Sequence, residues 1–172
     1  ALAQSDFGIV PPIEDGDSFI ANALIKARHA AATAGLPAIA DDSGLEVDAL
    51  GGRPGLHSAR YAGPQADARA NNVKLLAELA DLPLVARSAR FRCAMVFVRD
   101  ADDVAPIIAE ASWPGRMALE PRGAGGFGFD PLFIVEGGDR TAAEMPEAEK
   151  NRVSHRGQAL MALAAAMREV GW

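Results

Sequence analysis

An α/β fold around one long mixed β-sheet is what this sequence predicts, on three observations. Apolar residues at Ile20, Ala23, Leu24, Ala27 and Ala31 recur at helical spacing. Short apolar runs of strand length, residues 37–40 and 91–98, lie between such stretches. Residues 45–50 alternate apolar and acidic side chains, the pattern of a strand with one wet face. With residues 91–113 they read as antiparallel pieces, so the sheet is expected to be mixed rather than purely parallel.

The elements follow in order. Residues 5–16 are rich in Pro, Gly and acids and read as loop; Asp17 or Ser18 then caps a first helix. Gly35 and Pro37 end it. Residues 37–40 form a buried strand whose end carries Asp41 and Asp42, residues 45–50 a second strand, and residues 51–55 a turn. A helix over 67–80 turns Val73, Leu76, Ala77 and Ala80 inward. Residues 91–98 form a strand with 106–113 as its neighbour. A glycine-dense loop at 123–128 leads to a short strand at 132–135, and 136–156 is a polar stretch. A closing helix over 157–170 carries Ala159, Leu160, Leu163 and Met167 on one face.

Bulk properties narrow the function. With 172 residues, one domain, built as two lobes at most, is the expectation. The formal net charge of -6 argues against a general nucleic-acid binder, which is ordinarily basic. The single cysteine, Cys93, lies in a buried-strand pattern; it excludes an internal disulfide and fits a reducing, cytoplasmic setting. No apolar run reaches membrane-spanning length, and no basic-then-apolar leader opens the chain. The start at Ala1, without an initiator Met, is what a trimmed piece of a longer protein would show.

Three clusters carry chemistry. Asp41-Asp42-Ser43-Gly44 sets two carboxylates side by side at a strand end. Hard cations such as Mg²⁺ favour carboxylate oxygens, and Gly44 lets the backbone turn and approach a ligand; an Asx-type turn that merely ends the strand fits equally. Glu14 and Asp15, in the loop before the first helix, either complete such a metal site or are solvated. Phe127-Gly128-Phe129-Asp130 offers aromatic faces for a base and, in Asp130, an acceptor for a ring N–H, or else a tight turn with two core aromatics. Ser154-His155-Arg156-Gly157 precedes the last helix, with Lys150 upstream; Arg156 carries a planar donor fork, and His155 a donor on either ring nitrogen. Glu46 and Asp48 share a strand face and read as solvated.

Taken in order, these segments resemble a known family. Residues 41–55, then Ser58-Ala59-Arg60-Tyr61-Ala62-Gly63, resemble the long signature of the inosine/xanthosine triphosphate pyrophosphatases. Residues 19–27 are similar to the segment that precedes it, and residues 125–131 and 154–160 to its two later signatures. The resemblance runs from about Ser5 to the C-terminus. It implies an elongated two-lobed α/β fold with the active site in the cleft between lobes, acting as a homodimer without nucleic-acid or membrane partners. It implies Mg²⁺-dependent hydrolysis of non-standard purine nucleoside triphosphates to the monophosphate and pyrophosphate, which keeps damaged bases out of the nucleotide pool. By motif, Asp42 is the catalytic base and a metal ligand, Glu14 a second metal ligand, Lys26 a phosphate-facing cation and Ser43 a substrate contact. Phe127, Gly128, Phe129 and Asp130 hold the base, and Lys150, His155 and Arg156 read its edge.

The sequence departs from the family pattern in three places. The family opens with a strand and a phosphate-gripping loop that match nothing here, so residues 1–172 are expected to be a single pyrophosphatase domain without its N-terminal strand-helix segment. Ala21 stands where the family usually has Glu, and Phe129 where it has Tyr or Trp. Two competing expectations follow: a nucleotide-binding remnant without turnover, and a general pyrophosphatase acting on standard nucleotides.

Overall fold

Helix α1, Phe19–Ala34, begins where its first unsatisfied N–H groups meet an acceptor: the Ser18 hydroxyl accepts from Ala21 N at 3.2 Å. It ends at Gly35, whose left-handed φ of 66° lets its N–H return to Ala31 O at 2.9 Å. The computed structural model describes residues 2–172. After α1 come β1 (Ala38–Val47), α2 (Ala68–Glu78), β2 (Ser88–Val98), β3 (Ile107–Met117), β4 (Phe133–Val135), α3 (Glu147–Val153) and α4 (His155–Glu169). The α/β class holds. The four strands form one sheet in chain order, β1-β2-β3-β4, and β3 runs antiparallel to β4 with Arg116 opposite Ile134.

The chain divides into two compact units. One comprises the chain through Asp42, Cys93–Ala111 and Gln158–Trp172. Its strands alternate faces, as a pleated strand must. Val96 and Val98 of β2 pack with Ala38 and Ala40 of β1 against Ala23, Ala27 and Ala31 of α1. Cys93, Met95 and Phe97, of the opposite parity, pack with Ala109 against Ala159 and Leu163 of α4. Cys93 is a buried thiol in no disulfide among the described residues.

The second unit comprises Ser43–Arg92 and Ser112–Gly157. Its core joins Leu45, Val47, Phe91, Trp113, Met117 and Phe133 from the sheet to Leu75 of α2 and Leu79 at its C-cap. Arg87, only 3% exposed, closes the end of α2: its guanidinium donates to the carbonyls of Leu79, Leu82 and Ala118 at 2.8–3.0 Å.

Four sequence expectations change. The two short strands around Asp41-Asp42-Ser43-Gly44 are one unbroken strand, β1, followed by a 3₁₀ turn at Asp48–Leu50. Gly44 does not take a positive φ, so it makes no sharp turn. The inward stripe of α2 is Asn71 and Leu75, continued by Leu79 at its C-cap, while Val73 is 61% exposed. The polar Asn71 occupies a core position because its amide bonds the backbone of Ala59 and Ala62, which an apolar pattern does not reveal. The polar stretch after residue 136 contains α3. On α4, Leu160 is 52% exposed, although Ala159 and Leu163 are fully buried as expected.

Tyr61 gives this unit a pH-sensitive anchor. Its hydroxyl donates to Glu78 Oε2 at 2.6 Å, and Lys74 Nζ sits 4.3 Å above its ring. Burial first, then the hydrogen bond to Glu78 and its negative charge, push the phenol up to about 12, with Arg53 opposing weakly. A folded value above the unfolded one means the stabilisation is complete below the unfolded pKa of 10.0 and is lost as pH rises towards about 12. Urea unfolding of wild type and Tyr61→Phe should therefore show a stability gap that narrows over that window; a constant gap would contradict the assignment.

Candidate active site

The first unit contributes a carboxylate pair gathered on one ammonium. Asp42 shares the parity of Ala38 and Ala40, so it faces α1, while Asp41 faces the other way and its Oδ2 lies 3.9 Å from Cys93 Sγ. Lys26 of α1 reaches Asp42 Oδ1 at 2.9 Å and Glu14 Oε2 at 3.4 Å. The amide of Asn22, one turn before Lys26, donates to Asp42 Oδ2 at 3.1 Å. Three residues named from sequence, Glu14, Lys26 and Asp42, are thus brought together. Asn22 was missed; its place four residues before Lys26, on the same face of the helix, was the available signal. Lys26 bridges two acids here, and that ion pair explains how two adjacent aspartates stand within a strand without ending it.

The second unit holds a cavity of about 250 Å³. Ser43, Phe127, Gly128, Phe129, Asp130, His155 and Arg156, all named from sequence, line it, joined by Phe91 and Asn71. Phe127 is 63% exposed, with Lys150 Nζ 4.8 Å and Arg156 Cζ 5.1 Å from its ring centroid. Phe129 is different: at 4% exposure it is chiefly a core residue, packed edge-on against Tyr61 at 6.5 Å. His155 is buried and stacks on Phe91, with centroids 4.8 Å apart and planes 9° from parallel.

Asp130, 2% exposed, organises this end of the cavity. Its Oδ2 accepts from Phe127 N at 2.7 Å and pairs with Lys150 Nζ, which lies in α3. A buried carboxylate is tolerated only when it is paired in this way. The loop must bend closely around it: Gly126 has a φ of 72°, and an added Cβ there would strike the Asp130 carboxylate. Gly157 permits a similar approach, since its Cβ would collide with the Asn151 carbonyl at the end of α3.

The cavity has the size and character of a purine site: an exposed aromatic face under two cations, a buried acid and an imidazole. Along the chain, Ser43 of its wall directly follows Asp42. Paired carboxylates and a base-sized pocket on a sheet-and-helix frame are the equipment of an α/β nucleotide hydrolase. Comparison with known proteins narrows this class. The model of the Ham1 family matches residues 2–166. A dITP/XTP pyrophosphatase of Thioalkalivibrio sulfidiphilus is 61% identical over 162 residues, covering 94% of this chain and 83% of the relative. That of Escherichia coli is 52% identical over 167 residues, covering 97% and 85%. A solved HAM1 protein from Coxiella burnetii superposes with a TM-score of 0.89 at 46% identity, covering 96% of this chain and 84% of that one. This chain belongs to the Ham1 family.

Proposed function

We propose that this chain hydrolyses 6-oxo purine nucleoside triphosphates, such as those of deoxyinosine and xanthosine, to the monophosphate and pyrophosphate. The pocket around Phe127 carries the reading. Its exposed ring offers a stacking face for a purine, while Arg156 and the buried His155 line the same cavity as donors suited to a 6-oxo acceptor. Asp130 Oδ1 accepts no hydrogen bond among the described residues and suits the ring N–H that accompanies a 6-oxo group. A 6-amino purine reverses both groups, setting donor against donor and acceptor against acceptor, and unpaired buried polar groups discriminate strongly. The curated relatives, named as dITP/XTP pyrophosphatases, support the same substrates.

In this reading Asp42 accepts the proton of the attacking water as the bond between the α- and β-phosphoryl groups breaks and pyrophosphate leaves. Lys26 supplies positive charge for phosphate oxygens, and Ser43 contacts the substrate. Mg²⁺ fits the donor set: Glu14 and Asp42 offer two hard oxygen ligands around one positive charge. No cluster of three acidic, His or Cys groups occurs among the described residues. A cation that takes one or two carboxylates and completes its shell with substrate phosphates and water suits such a site. When bound, the ion would neutralise phosphate charge.

A homodimer and a cytoplasmic setting belong to the same proposal; the first is supported by the family resemblance and the second by the single, buried cysteine. No helix among the described residues is long and apolar enough to cross a membrane. Pyrophosphate release with Mg²⁺, measured on inosine, deoxyinosine and xanthosine triphosphates beside ATP, GTP and the pyrimidine nucleotides, tests the function. The expected result is a kcat/KM at least about 100-fold higher for the first three than for ATP, whose 6-amino edge reverses the pairing. Equal rates across the panel would indicate a general pyrophosphatase, and binding of inosine monophosphate without any turnover a non-catalytic nucleotide binder.

A further inference from the structure

Asn22 lies in the first turns of α1, on its buried face, and is 2% exposed. A buried amide is costly unless both its ends are bonded, and both are. Its Oδ1 accepts from Gly16 N at 2.9 Å, and its Nδ2 donates to Asp42 Oδ2 at 3.1 Å. Gly16 offers a backbone N–H and Asp42 an acceptor, so the amide has one orientation that satisfies both. Gly16 itself must lack a side chain: a Cβ there would lie 2.7 Å from Asn22 Oδ1 and 2.8 Å from Ala21 Cβ. Glu14 is two residues before Gly16, and its carboxylate shares Lys26 with Asp42.

We propose that Asn22 is a positioning residue for the reaction: it orients the Asp42 carboxylate and, through the Gly16 N–H, fixes the loop that carries Glu14. One side chain thereby sets the spacing of the two acids. The inference rests on the role given to Asp42 above. Lys26 alone grips a single oxygen of Asp42 and leaves the carboxylate free to rotate about its broad terminal torsion. The second donor removes that freedom, as hydrogen bonds to metal-ligating carboxylates do elsewhere.

Two variants separate orientation from anchoring. Asn22→Asp keeps the acceptor for Gly16 N and the shape of the side chain but loses the donor to Asp42. Asn22→Ala loses both without adding charge. Expected on deoxyinosine triphosphate is a fall in kcat of roughly 10–100-fold for both, with KM for nucleotide within about twofold of wild type. Hydrogen exchange at Gly16 N should stay slow in Asn22→Asp and become fast in Asn22→Ala. Wild-type kcat in Asn22→Asp, whether or not Asn22→Ala is impaired, overturns the positioning role and leaves only a loop anchor. A wild-type protein inactive on every triphosphate overturns the proposed function and this inference with it, whereas an active wild type with unimpaired variants overturns the inference alone.

Discussion

Asp42→Asn is expected to slow pyrophosphate release from deoxyinosine triphosphate by about 100- to 10,000-fold, the usual loss when a general base is removed. In the wild type each oxygen of Asp42 accepts a hydrogen bond, Oδ1 from Lys26 and Oδ2 from Asn22. An asparagine there has one acceptor for two donors and no charge with which to take a proton or hold a cation. The cavity proposed for the base is lined from Ser43 onward and does not include Asp42. Inosine monophosphate should therefore bind the variant as it binds the wild type when followed by calorimetry. Turnover within about tenfold of wild type would remove Asp42 from the role of base.

Lys150→Met is expected to be the most destabilising single change around the base pocket, at about 3–5 kcal/mol in chemical unfolding. Asp130 is 2% exposed, and the Lys150 side chain that pairs with it is 13% exposed. Removing the ammonium leaves a buried carboxylate with only the Phe127 N–H as a partner. It also strips one of the two cations from the Phe127 ring, so KM for the nucleotide should rise as well. Adding Asp130→Asn to Lys150→Met should recover much of the stability, because the uncompensated charge goes with it, but not the KM. A single variant that loses less than about 1 kcal/mol would show that the pair contributes little.

What the sequence made legible was local. A cap at Asp17 or Ser18, Gly35 as a stop, the apolar run of β2 and the glycine-dense loop before Asp130 are all decided within a few residues of themselves; Ser18 is the cap, and the rest stand in the structure as read. The pocket residues were legible for another reason: their family wording, Phe129 excepted, survives in order along the chain. The misreadings share one physical cause, partners supplied from afar. Asp41 and Asp42 read as a strand end because two adjacent charges are costly within a sheet, but Lys26 and Asn22 stand across from Asp42. Asn71 broke the stripe of α2 because its partners lie in the turn around Ser58–Ala62. Helix α3 was the exception, since Glu147 and Glu149 at its start and Lys150 and Arg152 at its end spell out a helix dipole within the local sequence.

The alternating faces of β1 bear on how this segment can change over time. Whether an acid meets Lys26 or Cys93 depends only on whether its position along β1 is even or odd. Point substitutions leave that parity alone, but inserting or deleting one residue between Ala38 and Asp42 would put the two out of phase, so that either the aspartates exchange places or Ala38 turns away from α1. Drift in this strand is therefore confined to changes of residue type at fixed length.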